Sequence, residues 1–186
     1  MKTDHDQYKN ETRNQSEVQL EYLGRGLVAA VTSEGIFLSW RLLGNEVSGF
    51  SSNGLTGTDF NLYRDGSLIA VVCDSTNYLD PGGTPDSVYY VCAVVDGLEV
   101  DRSADVNPWE GPYYELPLQK PADGITPTGQ TFTYSANDMS VGDVDGDGEY
   151  EFFVKWDPSN AKDVSHSGYT GQVYIDCYKL DGTLLY

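Results

Sequence analysis

The stretch Asn137-Asp138-Met139-Ser140-Val141-Gly142-Asp143-Val144-Asp145-Gly146-Asp147-Gly148-Glu149-Tyr150-Glu151 decides how this chain is read. Asp143, Asp145 and Asp147 recur at every second position, and Glu149 and Glu151 continue the spacing. Carboxylates so closely spaced repel one another unless a cation neutralises them. Gly146 and Gly148 tolerate positive φ, so the backbone can curl and aim its oxygens inward. Ca²⁺ takes about six to eight oxygen ligands, and Asp-x-Asp-x-Asp-Gly supplies the first of them. The stretch therefore reads as a Ca²⁺ site.

Its flanks exclude an EF-hand. The position that would carry the bidentate Glu is Val154, and the acidic series ends at Glu151. Upstream, Thr131-Phe132-Thr133-Tyr134 has strand chemistry; downstream, Phe152-Phe153-Val154-Lys155-Trp156 is aromatic and β-branched. The expectation is strand, calcium loop, strand. Four short strands follow from the pattern: Met139–Gly142, Tyr150–Trp156, Gln172–Leu180 and Thr183–Tyr186. Four antiparallel strands are the content of one β-propeller blade.

Working outward, the same strand signal fills the first half. Ile36, Leu38, Trp40 and Leu42 alternate with smaller or polar residues, the period of a half-buried strand. Leu27–Thr32 and Tyr89–Val95 are further apolar runs. Asp65-Gly66, Asp96-Gly97 and Asp181-Gly182 sit between apolar runs, the signature of tight antiparallel hairpins. The fold class expected is all-β. Residues 17–105 form a β-sandwich, 106–130 a Pro-rich connector, and 131–186 a propeller blade. Residues 1–16 are polar and lack an aliphatic residue after Met1, and they read as a disordered tail.

Composition narrows the partners. The chain has 186 residues and a formal net charge of −18, which disfavours nucleic acid and acidic membranes. No run approaches the about 20 apolar residues of a membrane span, and no apolar signal-peptide core precedes the first strand. Three cysteines are not a disulfide framework. Cys73 and Cys92 are either bridged or small buried hydrophobes.

Phe37-Leu38-Ser39-Trp40, Leu62-Tyr63-Arg64-Asp65-Gly66, Tyr78-Leu79-Asp80 and Tyr89-Tyr90-Val91-Cys92-Ala93-Val94 resemble a fibronectin type III sandwich. In that resemblance Trp40 packs in the core, and Tyr89 takes the tyrosine-corner position with its hydroxyl on the backbone.

A wider resemblance covers residues 18–186. Tyr134-Ser135-Ala136-Asn137-Asp138, the acidic loop, Val154-Lys155-Trp156-Asp157-Pro158-Ser159-Asn160, Gly168-Tyr169-Thr170-Gly171 and Tyr178-Lys179-Leu180-Asp181-Gly182-Thr183 carry it in the second half. Leu23-Gly24-Arg25-Gly26, Leu38–Gly44 and Leu116–Pro121 carry it in the first. Together they look like bacterial family 11 rhamnogalacturonan lyases. The resemblance implies a sandwich followed by an eight-bladed, calcium-rich propeller. It implies secretion, a monomeric full-length form, and β-elimination in the rhamnose–galacturonate backbone of pectin.

Carried over by residue, Asp143, Asp145, Asp147, Glu149 and Glu151 would ligate Ca²⁺, and Asp138 a neighbouring calcium. Asn137 and Asp157 match sugar-contacting positions. No proton-abstracting residue is identified. Lys155 could act as a base only if desolvated. Only the first of eight blades is present, so the isolated chain is expected to be weak or inactive, a fragment or truncated product. The competing reading is a non-catalytic, calcium-stabilised carbohydrate-binding or adhesion module.

Overall fold

A computed structural model describes residues 22–52 and 54–186. The tail expected at 1–16, and residues 17–21 of the expected sandwich, lie outside the described residues. The described chain is all-β, with one short 3-10 turn at Gly44–Glu46. No helix among the described residues is long and apolar enough to cross a membrane. The chain divides into two units between Glu110 and Gly111.

The first unit runs β1 (Val28–Thr32), β2 (Gly35–Ser39), β3 (Gly49–Ser51), β4 (Gly54–Thr56), β5 (Asp59–Arg64), β6 (Ser67–Val72), β7 (Asn77–Asp80), β8 (Tyr89–Val95) and β9 (Leu98–Arg102). A three-stranded sheet has the order β1-β2-β7, and a four-stranded sheet the order β6-β5-β8-β9. Their inner residues share one core: Ala29, Ile36 and Leu38 from the first meet Phe60, Leu62, Val72, Tyr89, Val91 and Ala93 from the second. Trp40 joins that core, its ring edge-on to Phe60 at 5.5 Å. Phe37, between Ile36 and Leu38, is exposed, so the period-two reading of this strand holds. The Gly-, Ser- and Asn-rich stretch Gly44–Gly57, whose composition reads as a loop, also contains the small β3–β4 hairpin.

The Asp-Gly turns behave differently from one another. Asp65-Gly66 and Asp96-Gly97 have positive φ at both residues and close two-residue hairpins, Arg64 opposite Ser67 and Val95 opposite Leu98. At Asp181-Gly182 only Gly182 is left-handed, so that turn is of another type.

Tyr89 is fully buried, and its hydroxyl donates to Asp80 Oδ2 at 2.9 Å rather than to the backbone. Arg64 Nη1 closes the same carboxylate at 2.7 Å. Arg25, buried at the start of the unit, pairs with both oxygens of Glu46 and with Asp101. Asp101 sits at φ +48 in a bulge of β9, which turns its side chain back toward Arg25. All three cysteines are free thiols; Cys92 and Cys177 are buried and Cys73 is exposed.

The stretch expected as a connector is not a uniform linker. Val106 bridges Tyr89, and Trp109 bridges Ala30, so both belong to the first unit. Leu116 packs on the core of the second unit, and Gln119 N–H donates to the Tyr178 hydroxyl at 3.0 Å.

The second unit carries a small hairpin, β10 (Gly124–Ile125) with β11 (Thr131–Phe132), and a three-stranded sheet of β12 (Tyr134–Gly142), β13 (Glu151–Pro158) and β14 (Tyr174–Tyr178), in that order. Thr183–Tyr186, expected as a fourth strand, runs along β14 through a bridge from Leu184 to Tyr178 and two backbone hydrogen bonds at Cys177. One face of the sheet is sealed by Tyr134, Val154, Trp156 and Tyr178. Asp176 enters that face because it accepts from Trp156 Nε1 at 2.8 Å and from the Tyr178 hydroxyl at 3.0 Å. Asn160, also buried, accepts from Gly171 N–H and pins the long loop between β13 and β14.

Candidate functional site

The acidic stretch is the connection between β12 and β13, whose last pair is Gly142 with Glu151. Gly146 and Gly148 take φ +79 and +89, the left-handed curl their identity allows. The curl is held by the loop's own carboxylates. Asp143 Oδ1 accepts from Gly146 N–H at 2.7 Å and its Oδ2 from Gly148 N–H at 3.1 Å. Asp145 accepts from Asp147 N–H, and Asp147 from Glu149 N–H. Glu151, only 1% exposed, accepts from Val144 N–H at 2.9 Å.

This folding brings Asp143, Asp145 and Glu151 together. Each offers one carboxylate oxygen, and the three oxygens lie within 4.8 Å of one another. An all-oxygen, all-anionic donor set suits a hard cation. A fully buried carboxylate such as Glu151 is costly to desolvate, and the Lys179 ammonium approaches it only to 3.9 Å. The residues present therefore fit a metal. Asp147 and Glu149, from the same loop, are exposed and lie outside that triad.

The second carboxylate group of the loop faces a cation already. Lys179, just past β14, places Nζ 2.5 Å from Asp145 Oδ2, 2.8 Å from Asp147 Oδ2 and 3.9 Å from Glu151 Oε1. Hydrogen bonds donated to Asp145 and Asp147 raise the Lys179 ammonium above its usual range. Reciprocally, the bond from Lys179 and the Glu149 N–H hold Asp147 below the usual carboxylate range. Lys179 was missed in the sequence because it is 32 residues from Asp147 and only the register of β14 returns it to the loop.

Asn137, Asp138 and Asp157 converge on the other end of the same strand pair. Ala136 pairs with Trp156 and Met139 with Val154, so Asn137 and Asp138 together oppose the single residue Lys155. This is a bulge, which leaves both side chains aimed outside the regular ladder. Asn137 Nδ2 donates to Asp157 Oδ2 at 2.6 Å. Lys155 Nζ lies 3.2 Å from Asp157 Oδ1 and 3.5 Å from Asp138 Oδ2. Asp138 is thus brought to Lys155. Hydrogen bonding to Asp157 raises the Lys155 ammonium, so it stays protonated near neutral pH and is no proton acceptor. His166 lies exposed in the long loop.

The cluster can do two things chemically. Asn137 offers an amide that donates and accepts, beside the carboxylate of Asp157, a pairing suited to hydroxyl groups. Lys155 offers a fixed positive charge beside them.

Comparison with known proteins gives matches to both units. The family description "Rhamnogalacturonan I lyases beta-sheet domain" matches residues 18–109, and "Rhamnogalacturonan lyase family 11, C-terminal domain" matches residues 113–186. The chain is 54% identical over 170 residues to rhamnogalacturonan exolyase YesX of Bacillus subtilis (strain 168), covering 90% of this chain and 26% of that protein. It is 54% identical over 169 residues to rhamnogalacturonan endolyase YesW of the same organism, again covering 26% of the relative. A crystal structure of rhamnogalacturonan lyase YesW superposes with a TM-score of 0.80 at 55% identity, over 90% of this chain and 28% of that one. The chain spans about a quarter of the length of these relatives.

Proposed function

The chain belongs to the family 11 rhamnogalacturonan lyases, and from that premise we propose that it supplies part of the sugar-binding wall of an enzyme that cleaves pectin. The substrate is the rhamnose–galacturonate backbone, and the reaction is β-elimination. The observation that carries this reading is the meeting of Asn137 with Asp157 at 2.6 Å, next to Lys155, across the β12–β13 strand pair.

In this reading Asn137 and Asp157 hold sugar hydroxyls, and Lys155, 3.2 Å from Asp157 Oδ1, orients that carboxylate. Lys155 does not remove the proton α to the uronate carboxylate, because two carboxylates keep it charged. The base therefore comes from outside these residues, and the 186 residues alone turn over little substrate. The polysaccharide is acidic and the chain carries −18, so local cations are what let the two approach.

The cofactor of the reading is Ca²⁺, held by Asp143, Asp145 and Glu151 with Asp147 and Glu149 in the same loop. Bound there, it supplies the charge that keeps the β12–β13 connection closed. Asp143 and Glu151 do the same work through their bonds to Gly146, Gly148 and Val144. The loop thus fixes the strand pair whose far end bears Asn137 and Asp157.

The architecture proposed is a fibronectin type III-like sandwich followed by the first blade of a propeller. The split of strands into β1-β2-β7 and β6-β5-β8-β9 supports the former. Exposed Met139, Val141 and Ile175 on the small sheet support the latter, since a blade covers such residues with its neighbours. The reading also implies an extracellular, monomeric full-length enzyme.

The test is calorimetric binding of rhamnogalacturonan I oligosaccharides to the chain in calcium, with ultraviolet absorbance followed for unsaturated product. Saturable binding with negligible new absorbance is expected. Absence of binding would sink the sugar-wall reading, and rapid product formation would sink the statement that the base lies elsewhere.

A further inference from the structure

Lys179 is fixed at its root. Its N–H donates to Thr183 O at 2.9 Å, and its carbonyl accepts from Gly182 N–H at 2.9 Å. From that anchored position the side chain delivers its ammonium to Asp145 Oδ2 and Asp147 Oδ2. Asp145 is also a member of the triad with Asp143 and Glu151. One carboxylate is therefore claimed twice, by a tethered monovalent cation and by the donor set a divalent ion would use. The ammonium is 3.9 Å from Glu151 Oε1 as well, so it lies at the edge of the triad itself.

Two positive charges this close repel strongly in a partly desolvated site. A metal entering between Asp143, Asp145 and Glu151 meets that repulsion unless Lys179 moves off Asp145. Asp147 gives it a place to go, because it already holds the ammonium and lies outside the triad.

We propose that Lys179 is a built-in competitor for the metal, neutralising Asp145 and Asp147 in the metal-free loop and withdrawing to Asp147 when a divalent cation enters. Its presence keeps the acidic loop folded without metal and lowers the affinity of the loop for metal. The inference rests on the metal reading of the loop given above.

The experiment is a calcium titration of the full 186-residue chain by isothermal calorimetry, comparing wild type with Lys179→Gln and Lys179→Arg. Lys179→Gln is expected to bind calcium about tenfold more tightly, and Lys179→Arg about as wild type. In the wild-type chain, the side-chain methylene resonances of Lys179 are expected to shift in step with calcium saturation, a readout that needs no variant to fold. Equal or weaker calcium affinity in Lys179→Gln, or Lys179 resonances indifferent to calcium, overturns the proposal while leaving the metal site standing. Failure of both wild type and Lys179→Gln to bind calcium removes the metal reading and this inference with it.

Discussion

Asn137 and Asp157 are joined across β12 and β13 by a 2.6 Å hydrogen bond, although 20 residues separate them. The bulge after Ala136 makes this contact, since a regular ladder would give Lys155 one partner on β12 instead of two. The pair is a small polar platform built on strands rather than on a mobile loop. If it holds sugar, Asp157→Ala should weaken binding of rhamnogalacturonan oligosaccharides by about tenfold or more, the scale of one lost charged hydrogen bond. Calorimetry on a variant with unchanged circular dichroism checks it; undiminished binding would remove Asp157 from the contact.

The acidic loop should make stability calcium-dependent. A ligand that binds only the folded state, at about a hundredfold excess over its Kd, adds about 2.7 kcal/mol. Differential scanning calorimetry should show the transition of the second unit rising by several degrees in calcium and falling back with chelator. The transition of the first unit should stay where it is, because its described residues hold no comparable carboxylate triad.

Glu151→Ala should cost more than a surface substitution. Glu151 is 1% exposed and receives the part-buried Val144 N–H, which the variant leaves without its acceptor. The expected loss is about 0.5–1.5 kcal/mol in chelator, from the lost hydrogen bond. It should also abolish the calcium-induced shift. Denaturant unfolding with and without calcium separates the two effects.

Gly83 stands against the buried Tyr89–Asp80 pair. A Cβ at this position would lie 2.0 Å from the Tyr89 hydroxyl and 2.7 Å from Ile36 Cγ1. Gly83→Ala must therefore push Tyr89 off Asp80, and a loss of about 1–3 kcal/mol from overpacking is expected in the first unit. Thermal unfolding of the variant tests it; an unchanged transition would mean that the Gly83 turn yields freely.

Tyr89 also gives the first unit an alkaline limit. Burial first, then its bond to the Asp80 carboxylate, push its phenol up to about 12 from an ordinary value of 10.0. The folded state therefore keeps a proton that the unfolded state releases. Stability is full below about 10 and falls as pH rises toward about 12. Tyr89→Phe should flatten that part of the profile, measured as unfolding midpoint against pH. A variant with an unaltered alkaline slope would assign the loss to another group.

Much of this protein was legible in one dimension because its signals are local. The alternation through Ile36, Leu38 and Trp40 identified an inward face, since side-chain direction in a strand follows from position parity. Asp65-Gly66 and Asp96-Gly97 identified hairpins, since few residues accept the φ values such turns require. The acidic repeat with Gly146 and Gly148 identified a closed, oxygen-lined loop, because Asp143, Asp145, Asp147 and Glu151 bond to amides only two to seven residues away.

Other features depended on chain segments meeting. The resemblance placed five loop carboxylates in one ligand set; the curl of the loop brings oxygens of Asp143, Asp145 and Glu151 within 4.8 Å of one another and sets Asp147 Oδ2 2.8 Å from Lys179 Nζ. The Lys155–Asp138 contact carried no local sign, because an unpaired residue in β12 creates it, whereas Asp157 stands two residues from Lys155 on the same strand. The Tyr89 hydroxyl found Asp80, the end of β7, instead of a backbone carbonyl. Sequence by itself determined strands, turns and an anionic loop, which are properties of neighbouring residues. Tertiary structure decided which carboxylate faces which cation, because register and bulges set distances between residues far apart in the chain, and electrostatic pairing depends on those distances.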